Sequence, residues 1–510
     1  MNRTMHTPQS RRPNLQGNLP ALGTALLALT AASCSSGGDD NVGDPGDGAE
    51  VVGGIFALTN RHNNADQLRN EGQDPLTETE AGNEVVAYRR FDNGALELVG
   101  SFPTGEDLIG ENIRNSGANP LASQDPLIVS EDGNFLFAVN AGSDSVTSMS
   151  IDGETMELTV MSTISTAGVS GMQNPVSLTQ HGDVLYVLNS GTFFDLDAIT
   201  PLDFVPTTIP DPAGGPDDTL PDPRRLRRAS GIIGFTIDEF GNLGDLPSSE
   251  LTLNDFPGFA GDGPNGPGNM SLGANGGSID FNAAGDALYI TERRTNNIVT
   301  LELTPGMVPS GVGTNLDSST DQPFGTDVVT TLGGTEVLLV SQGNNGLEGL
   351  STLSSFTIGA GGALTGASLS DGTETDPFIT GFTFGCWVES FIGADGDTYA
   401  YTANTPDGTL TGYLVDDTSG ELTRLESPTP GEDFPNIPAT GNTNGIGVLD
   451  TEIAGGFLYQ VVNVGGADAS NNSRISVFQV MDGGALSPLT AFDTENSLFV
   501  PRQFVGIAGF

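Results

Sequence analysis

Residues 125–146 read DPLIVSEDGNFLFAVNAGSDSV. Two apolar runs flank Glu131-Asp132-Gly133-Asn134, and a third begins at Val146. Short runs rich in Val, Ile, Phe and Tyr, bounded by Gly and Asp, predict strands joined by tight turns. The middle run, Gly133 to Asn140 (GNFLFAVN), recurs as GGIFALTN from Gly53, GDVLYVLN from Gly182, GDALYITE from Gly285, GTEVLLVS from Gly334 and GFLYQVVN from Gly456. A seventh copy, Gly396 to Asn404 (GDTYAYTAN), is one residue longer. After each copy comes an apolar residue, two others, then a bulky one: Val85/Tyr88, Val146/Met149, Ile232/Phe235, Ile298/Leu301, Leu353/Phe356, Leu410/Tyr413 and Ile475/Phe478.

Seven copies of both signatures in one order predict an all-β fold, a seven-bladed β-propeller with four-stranded blades. Spacings of 61, 86, 66, 55, 57 and 65 residues between successive second signatures require inserted loops. The first copy has no strand before its glycine, whereas the chain ends in PRQFVGIAGF (501–510), a strand without a partner. That tail is expected to form the innermost strand of blade 1 and close the ring, which removes free sheet edges. With strands lettered a to d outward from the axis, the a–b and c–d turns share one face. The long inserts 61–82, 103–125, 190–229, 254–275 and 428–446 all fall on the other. Loops on a rigid scaffold carry function, so the loop face is the expected binding face.

Composition narrows the chemistry. The 510 residues carry 17 cationic side chains, all arginine, against 65 carboxylates, a formal net charge of −48. No lysine is present, which excludes Schiff-base and P-loop lysine chemistry. Nucleic acid is excluded as a natural partner by like charge.

The N-terminus predicts an address. Arg3, Arg11 and Arg12 precede a short apolar run, residues 19–32, too short to span a bilayer as a permanent helix. It ends in Ala31-Ala32-Ser33-Cys34, which resembles the lipobox of bacterial lipoproteins. The resemblance implies that residues 1–33 are a signal peptide removed before Cys34, which is then lipidated. Ser35 in place of Asp favours the outer membrane, facing periplasm or exterior. Residues 34–50 form an acidic tether poor in apolar groups, and the propeller spans 51–510. The expected partners are the membrane, through the lipid, and an unidentified small molecule or surface protein; a monomer is expected.

The strings DPLIVSEDGNFLFAVNAGSDSV, NPVSLTQHGDVLYVLNSGT and GCWVES resemble the lactonase-like seven-bladed propellers, which include 6-phosphogluconolactonase and the carboxymuconate-lactonising enzyme. The likeness covers nearly all of residues 51–510. It implies a His before a Ser on one inner strand and an Arg in a Gly-Pro-Arg-His stretch on another. Here Val176 stands at the first position, while Gly277 and Ser278 replace the Arg and His at the second. The groups that would move protons and hold an anion are therefore missing. The expected role is ligand binding or scaffolding. The alternative is a lactone hydrolase or isomerase with a rearranged site.

For such a site the catalytic candidates are Glu292, Arg293 and His62, an acid/base and a carboxylate clamp. Solvated ion pairs at the rim are the bland and favoured reading of the same residues. The candidate ligand-binding residues are Arg61, Gln124, Gln173, Asn174, Asn275, Arg294, Gln322 and Asn444, many of them amides at strand entrances; satisfying strand ends explains those equally well. His181 is expected in a turn on the opposite face, and Cys386 as an inert packed thiol. No zinc motif exists, and no cofactor is implied with certainty. Ca2+ remains open because of the acidic turns Glu131-Asp132-Gly133-Asn134 and Asp395-Gly396-Asp397, although neither has EF-hand spacing. The basic cluster Arg224-Arg225-Leu226-Arg227-Arg228 is the chain's one strongly positive patch.

Overall fold

The computed structural model describes residues 48–59, 83–105, 121, 123–170, 172–190, 230–252, 276–293, 296–317, 322–344, 347–370, 377–380, 384–405, 407–425, 446–464, 473–489 and 504–510. Residues 1–33, expected to be a signal peptide, Cys34, most of the expected tether and the Arg224–Arg228 cluster lie outside them.

Seven antiparallel sheets form the seven blades. Their innermost strands are Phe504–Gly509 in blade 1, Leu127–Val129 in blade 2, Pro175–His181 in blade 3, Gly276–Phe281 in blade 4, Pro323–Thr330 in blade 5, Gly385–Ile392 in blade 6 and Ile446–Ala454 in blade 7. Each of these strands touches the next, and the blade 7 strand returns to that of blade 1, so they enclose an axial channel. Closure is as the sequence predicts. The final strand pairs antiparallel with Val51–Thr59, from Ile55 opposite Gly509 to Thr59 opposite Phe504.

All fourteen residues of the second signature are buried, and they lie on the third strand of their blades. Residues three apart on a strand point to opposite faces, so each third strand buries both faces between neighbouring blades. The turn glycines Gly133, Gly182, Gly285, Gly334, Gly396 and Gly456 all have φ between 55° and 91°. That left-handed backbone is where a side chain would be strained. It makes the first signature visible in the sequence. The polar stop of blade 5 is one residue later than the sequence suggests: Gln342 faces Pro323 as Asn189 faces Pro175.

Candidate functional site

In blades 2, 5 and 6 the amide at the end of the second strand is a clamp. Asn140 Nδ2 donates to Ser145 Oγ (3.2 Å) and Thr147 Oγ1 (2.9 Å). Asn404 Nδ2 donates to Thr409 Oγ1 (3.2 Å) and Thr411 Oγ1 (3.0 Å). In blade 5 the hydroxyls of Thr352 and Ser354 each donate to Gln342 Oε1 at 2.8 Å. Each pair ties a second strand to the start of the third. Glu292 occupies this place in blade 4, at the end of Ala287–Glu292, and is fully buried. Arg293 folds inward beside it. Its Nη2 donates to the Gly276 carbonyl at 3.3 Å, and its guanidinium lies 5.1 Å from the Phe324 ring centroid. Glu292 and Arg293 are therefore buried and not the solvated rim charges expected. Packing against the inner strands of blades 4 and 5 buries both residues instead. Arg61, His62, Arg294, Asn275 and Asn444 lie outside the described residues.

Gln124 departs most from a ligand-binding amide. Its backbone N–H donates to Gly277 O (3.0 Å). Its side-chain Nε2 donates to Thr326 O (2.6 Å) and Val388 O (2.9 Å), and its Oε1 accepts from Val388 N (3.0 Å). Ser123 Oγ donates to Val176 O (2.7 Å), and Trp387 Nε1 donates to Ser123 O (2.8 Å). Residues 123–124, entering blade 2, thus bond to the inner strands of blades 3, 4, 5 and 6 and plug the channel at its loop end. Gly325 makes room for this plug: a Cβ there would collide with Gln124 Oε1 and come within 2.7 Å of Cys386 O.

The other amides satisfy strand entrances. Gln173 Nε2 donates to Asp144 Oδ2 (2.8 Å), and Asn174 N donates to Asp144 Oδ1 (2.8 Å). Gln322 N donates to Asn296 Oδ1 (3.0 Å). Asp125, Asn174 and Gln322, each just before a proline, share a left-handed φ of 54°, 67° and 61°.

The two positions where the lactonase-like resemblance asks for catalytic groups are sealed. Val176 is fully buried in an apolar cluster with Tyr186, Leu188 and Ile279. A Cβ on Gly277 would lie 2.7 Å from Phe324 O and 3.0 Å from Thr291 Oγ1. Ser278 is fully buried, and its Oγ is hydrogen-bonded to Thr326 Oγ1 at 2.8 Å.

Behind the plug lies a feature absent from the sequence reading. Asp280, Asp327 and Glu389 face Tyr289, Leu339 and Tyr401 across their ladders, in each case three residues before the strand-end clamp. They therefore occupy one level of the channel in three consecutive blades. Asp125 from blade 2 and Asp450 and Glu452 from blade 7 join them. Burial, and the other carboxylates nearby, hold Asp125, Asp280, Glu389 and Asp450 well above the usual carboxylate range. Burial raises Asp327 and pushes Glu452 up to about 7. The signal was one acid recurring at one repeat position, in SID, GTD and WVE.

The remaining expectations place simply. His181 ends the blade 3 inner strand at the tight-turn face, with Nδ1 3.7 Å from Glu131 Oε1. Burial pushes the Cys386 thiol up to about 12, against the opposing pull of Arg293, so it is a poor nucleophile. In the acidic turns, Asp132 accepts from Ser130 Oγ and Asn134, and Asp395 accepts from Tyr399 Oη and Gly483 N. Among the described residues no three His, Cys, Asp or Glu converge on a metal position. No helix among them is long and apolar enough to cross a membrane.

The fold is that of the lactonase-like seven-bladed propellers. Two Bacteroides proteins carrying the provisional name 6-phosphogluconolactonase, from B. uniformis and B. fragilis, superpose with a TM-score of 0.50 each at 16% identity. The alignments cover 90% of this chain and 99% and 98% of theirs. A periplasmic gluconolactonase from Pseudomonas aeruginosa aligns over 89% of this chain and 99% of its own, with a TM-score of 0.46 and 14% identity. No protein-family model matches the sequence, and no curated protein matches it.

Proposed function

We propose that the protein is a lipid-anchored, extracytoplasmic propeller of the outer membrane that binds a ligand or scaffolds a surface partner rather than hydrolysing a lactone. The observation that carries this reading is the closed floor of the loop face. The lactonase-like catalytic positions, Val176, Gly277 and Ser278, are buried under the plug formed by Ser123 and Gln124. An arginine at 277 has no space for even its first side-chain carbon. The alternative lactone hydrolase or isomerase would have to work from Glu292, Arg293 and His62. The burial of Glu292, and the stacking of Arg293 on Phe324, speak against a freely titrating acid and an accessible clamp. The anchor rests on Ala31-Ala32-Ser33-Cys34.

The test is proton release from a panel of neutral and carboxylated lactones incubated with the full chain, with and without Ca2+. No turnover above buffer is expected. Turnover abolished by Arg293→Ala would establish the alternative. In cell fractionation, Cys34→Ala is expected to release the protein from the membrane fraction, and retention there would refute the lipid anchor.

A further inference from the structure

Six carboxyl groups project toward one channel, five from the inner strands of blades 4 to 7 and one from the entrance to that of blade 2: Asp280, Asp327, Glu389, Asp450, Glu452 and Asp125. The inner strands of blades 1 and 3 add no acid to this group, and His181 with Glu131 stands at the far, tight-turn end. Among the described residues the cation acting on the six is Arg90, through Glu452; it also donates to Phe510 O at 3.0 Å. Tyr459 borders Arg90 and Glu452, and burial keeps its phenol neutral.

The fold thus brings together more acid than base along one channel, where Asp450 is buried and the other five are half-buried, so that each carboxylate raises the cost of ionising its neighbours. A metal is not favoured, since no three of these groups converge on one position. The alternative is the proton. A neutral carboxylic acid both sheds its charge and gains a donor. One oxygen of the cluster lacks such a donor: Asp327 Oδ2 is buried with no hydrogen-bond partner. Asp280 Oδ2 already takes the Thr326 hydroxyl at 2.5 Å.

Two of the six grip the strand that closes the ring. Asp450 Oδ2 accepts from Ile507 N (3.2 Å), and Glu452 Oε2 accepts from Gly509 N (3.0 Å), bonds that favour the ionised acid and that burial outweighs. A Cβ on Gly506 would lie 3.5 Å from Asp450 Oδ2. The closing strand therefore lies directly against the acidic cluster.

We infer that the axial channel is a proton-loaded latch: its carboxylic acids are protonated in the closed ring, and the mutual repulsion set up when they ionise loosens the C-terminal strand of blade 1 from blade 7. The sign follows from linkage. A group whose pKa is higher folded than unfolded stabilises fully below its unfolded value and loses that contribution as pH rises through its folded value. For Glu452 the loss runs from its ordinary value of 4.5 through about 7, and the other five act in the same direction. Exposed carboxylates are already ionised by pH 6, and the whole chain has 3 histidines. A difference between the wild type and Glu389→Gln with Glu452→Gln across pH 6 to 8.5 therefore reports the channel rather than the surface.

Two measurements on the full chain test this, both at constant high ionic strength. The first is infrared spectroscopy of the wild type at pH 6.5. A protonated-carboxyl band is expected there and should fade by pH 8.5. The second is thermal unfolding across pH 5.5–8.5, for the wild type, for Glu389→Gln with Glu452→Gln, and for Asp152→Asn in an exposed turn. The wild-type Tm is expected to fall by several degrees with rising pH. The double variant should fall less and exceed the wild type at pH 8.5, while Asp152→Asn keeps the wild-type slope. Absence of the infrared band, or a flat wild-type profile, would overturn the latch. So would Ca2+ restoring at pH 8.5 the Tm seen at pH 5.5, which would assign the charges to a metal. If the double variant fails to fold, the wild-type band still decides.

Discussion

The protein places the same side chain in two opposite environments. In the tight turns Asp132, Asp152, Asp238, Asp395 and Asp416 accept hydrogen bonds from nearby N–H and O–H groups, and these hold their pKa values below the ordinary carboxylate range. Desolvation opposes that pull at each of them and is the largest single influence at Asp132, where the bonds together outweigh it. In the channel, burial dominates and raises all six acids. Turn acids thus favour the folded state at high pH and channel acids favour it at low pH. The comparison teaches that within one chain of net charge −48 the same side chain is shifted in opposite directions by its surroundings.

The sharpest way to break this comparison is to remove the strand the channel acids hold. Deleting residues 504–510 strips blade 1 of its inner strand and leaves the Val51–Thr59 edge unpaired. Loss of the cooperative thermal transition is expected. A truncated chain that melts like the full one would mean the ring does not depend on closure. Next in size is the plug. Gln124→Ala leaves the buried Thr326 and Val388 carbonyls and the Val388 N–H without their partner, and should destabilise by about 2–4 kcal/mol in chemical denaturation. Gly325→Ala, which drives a methyl group into the same amide, should destabilise by about 1–3 kcal/mol. The two effects should not add, because both act on one contact. Full additivity would show that Gln124 does not pack where Gly325 leaves room.

The outer parts of the blades were legible in the sequence because they repeat. A third strand sandwiched between two sheets needs apolar residues on both faces, and a tight turn needs its glycine, so Ile298/Leu301 and Gly285 announce themselves. Closure by 501–510 was legible for a related reason: one strand was missing at one end and spare at the other. The plug on the axis was not legible, because it is not periodic. Gln124 looked like one more amide at a strand entrance, and nothing local in Ser123-Gln124 indicates that its partners lie 202 and 264 residues away at Thr326 and Val388. Glu292 looked like a rim acid although the repeat aligns it with Asn140 and Asn404, because the repeat does not reveal that its side chain is buried. The channel acids were masked by an abundance of acids elsewhere; only their shared register, opposite Tyr289, Leu339 and Tyr401, separates them from the surface.

The smallest expected effect tests the turn half of the comparison. Asp132 accepts from Ser130 Oγ (2.7 Å), Asn134 N (3.1 Å) and Asn134 Nδ2 (2.6 Å), all within the turn that joins the first two strands of blade 2. These bonds prefer the ionised acid and lower its pKa. Because the group is largely exposed, solvent screens most of the benefit, and Asp132→Ala should destabilise by only about 1 kcal/mol at pH 7. A depressed pKa gives stability that is present above the unfolded value and lost as pH falls through the folded one. The difference between wild type and Asp132→Ala should therefore shrink below pH 4 and stay constant from pH 6 to 8.5, where the channel acids titrate. Chemical denaturation of the two chains at pH 3, 5, 7 and 8.5 measures both. A gap that widened as pH fell would mean that burial, not hydrogen bonding, rules this turn as well.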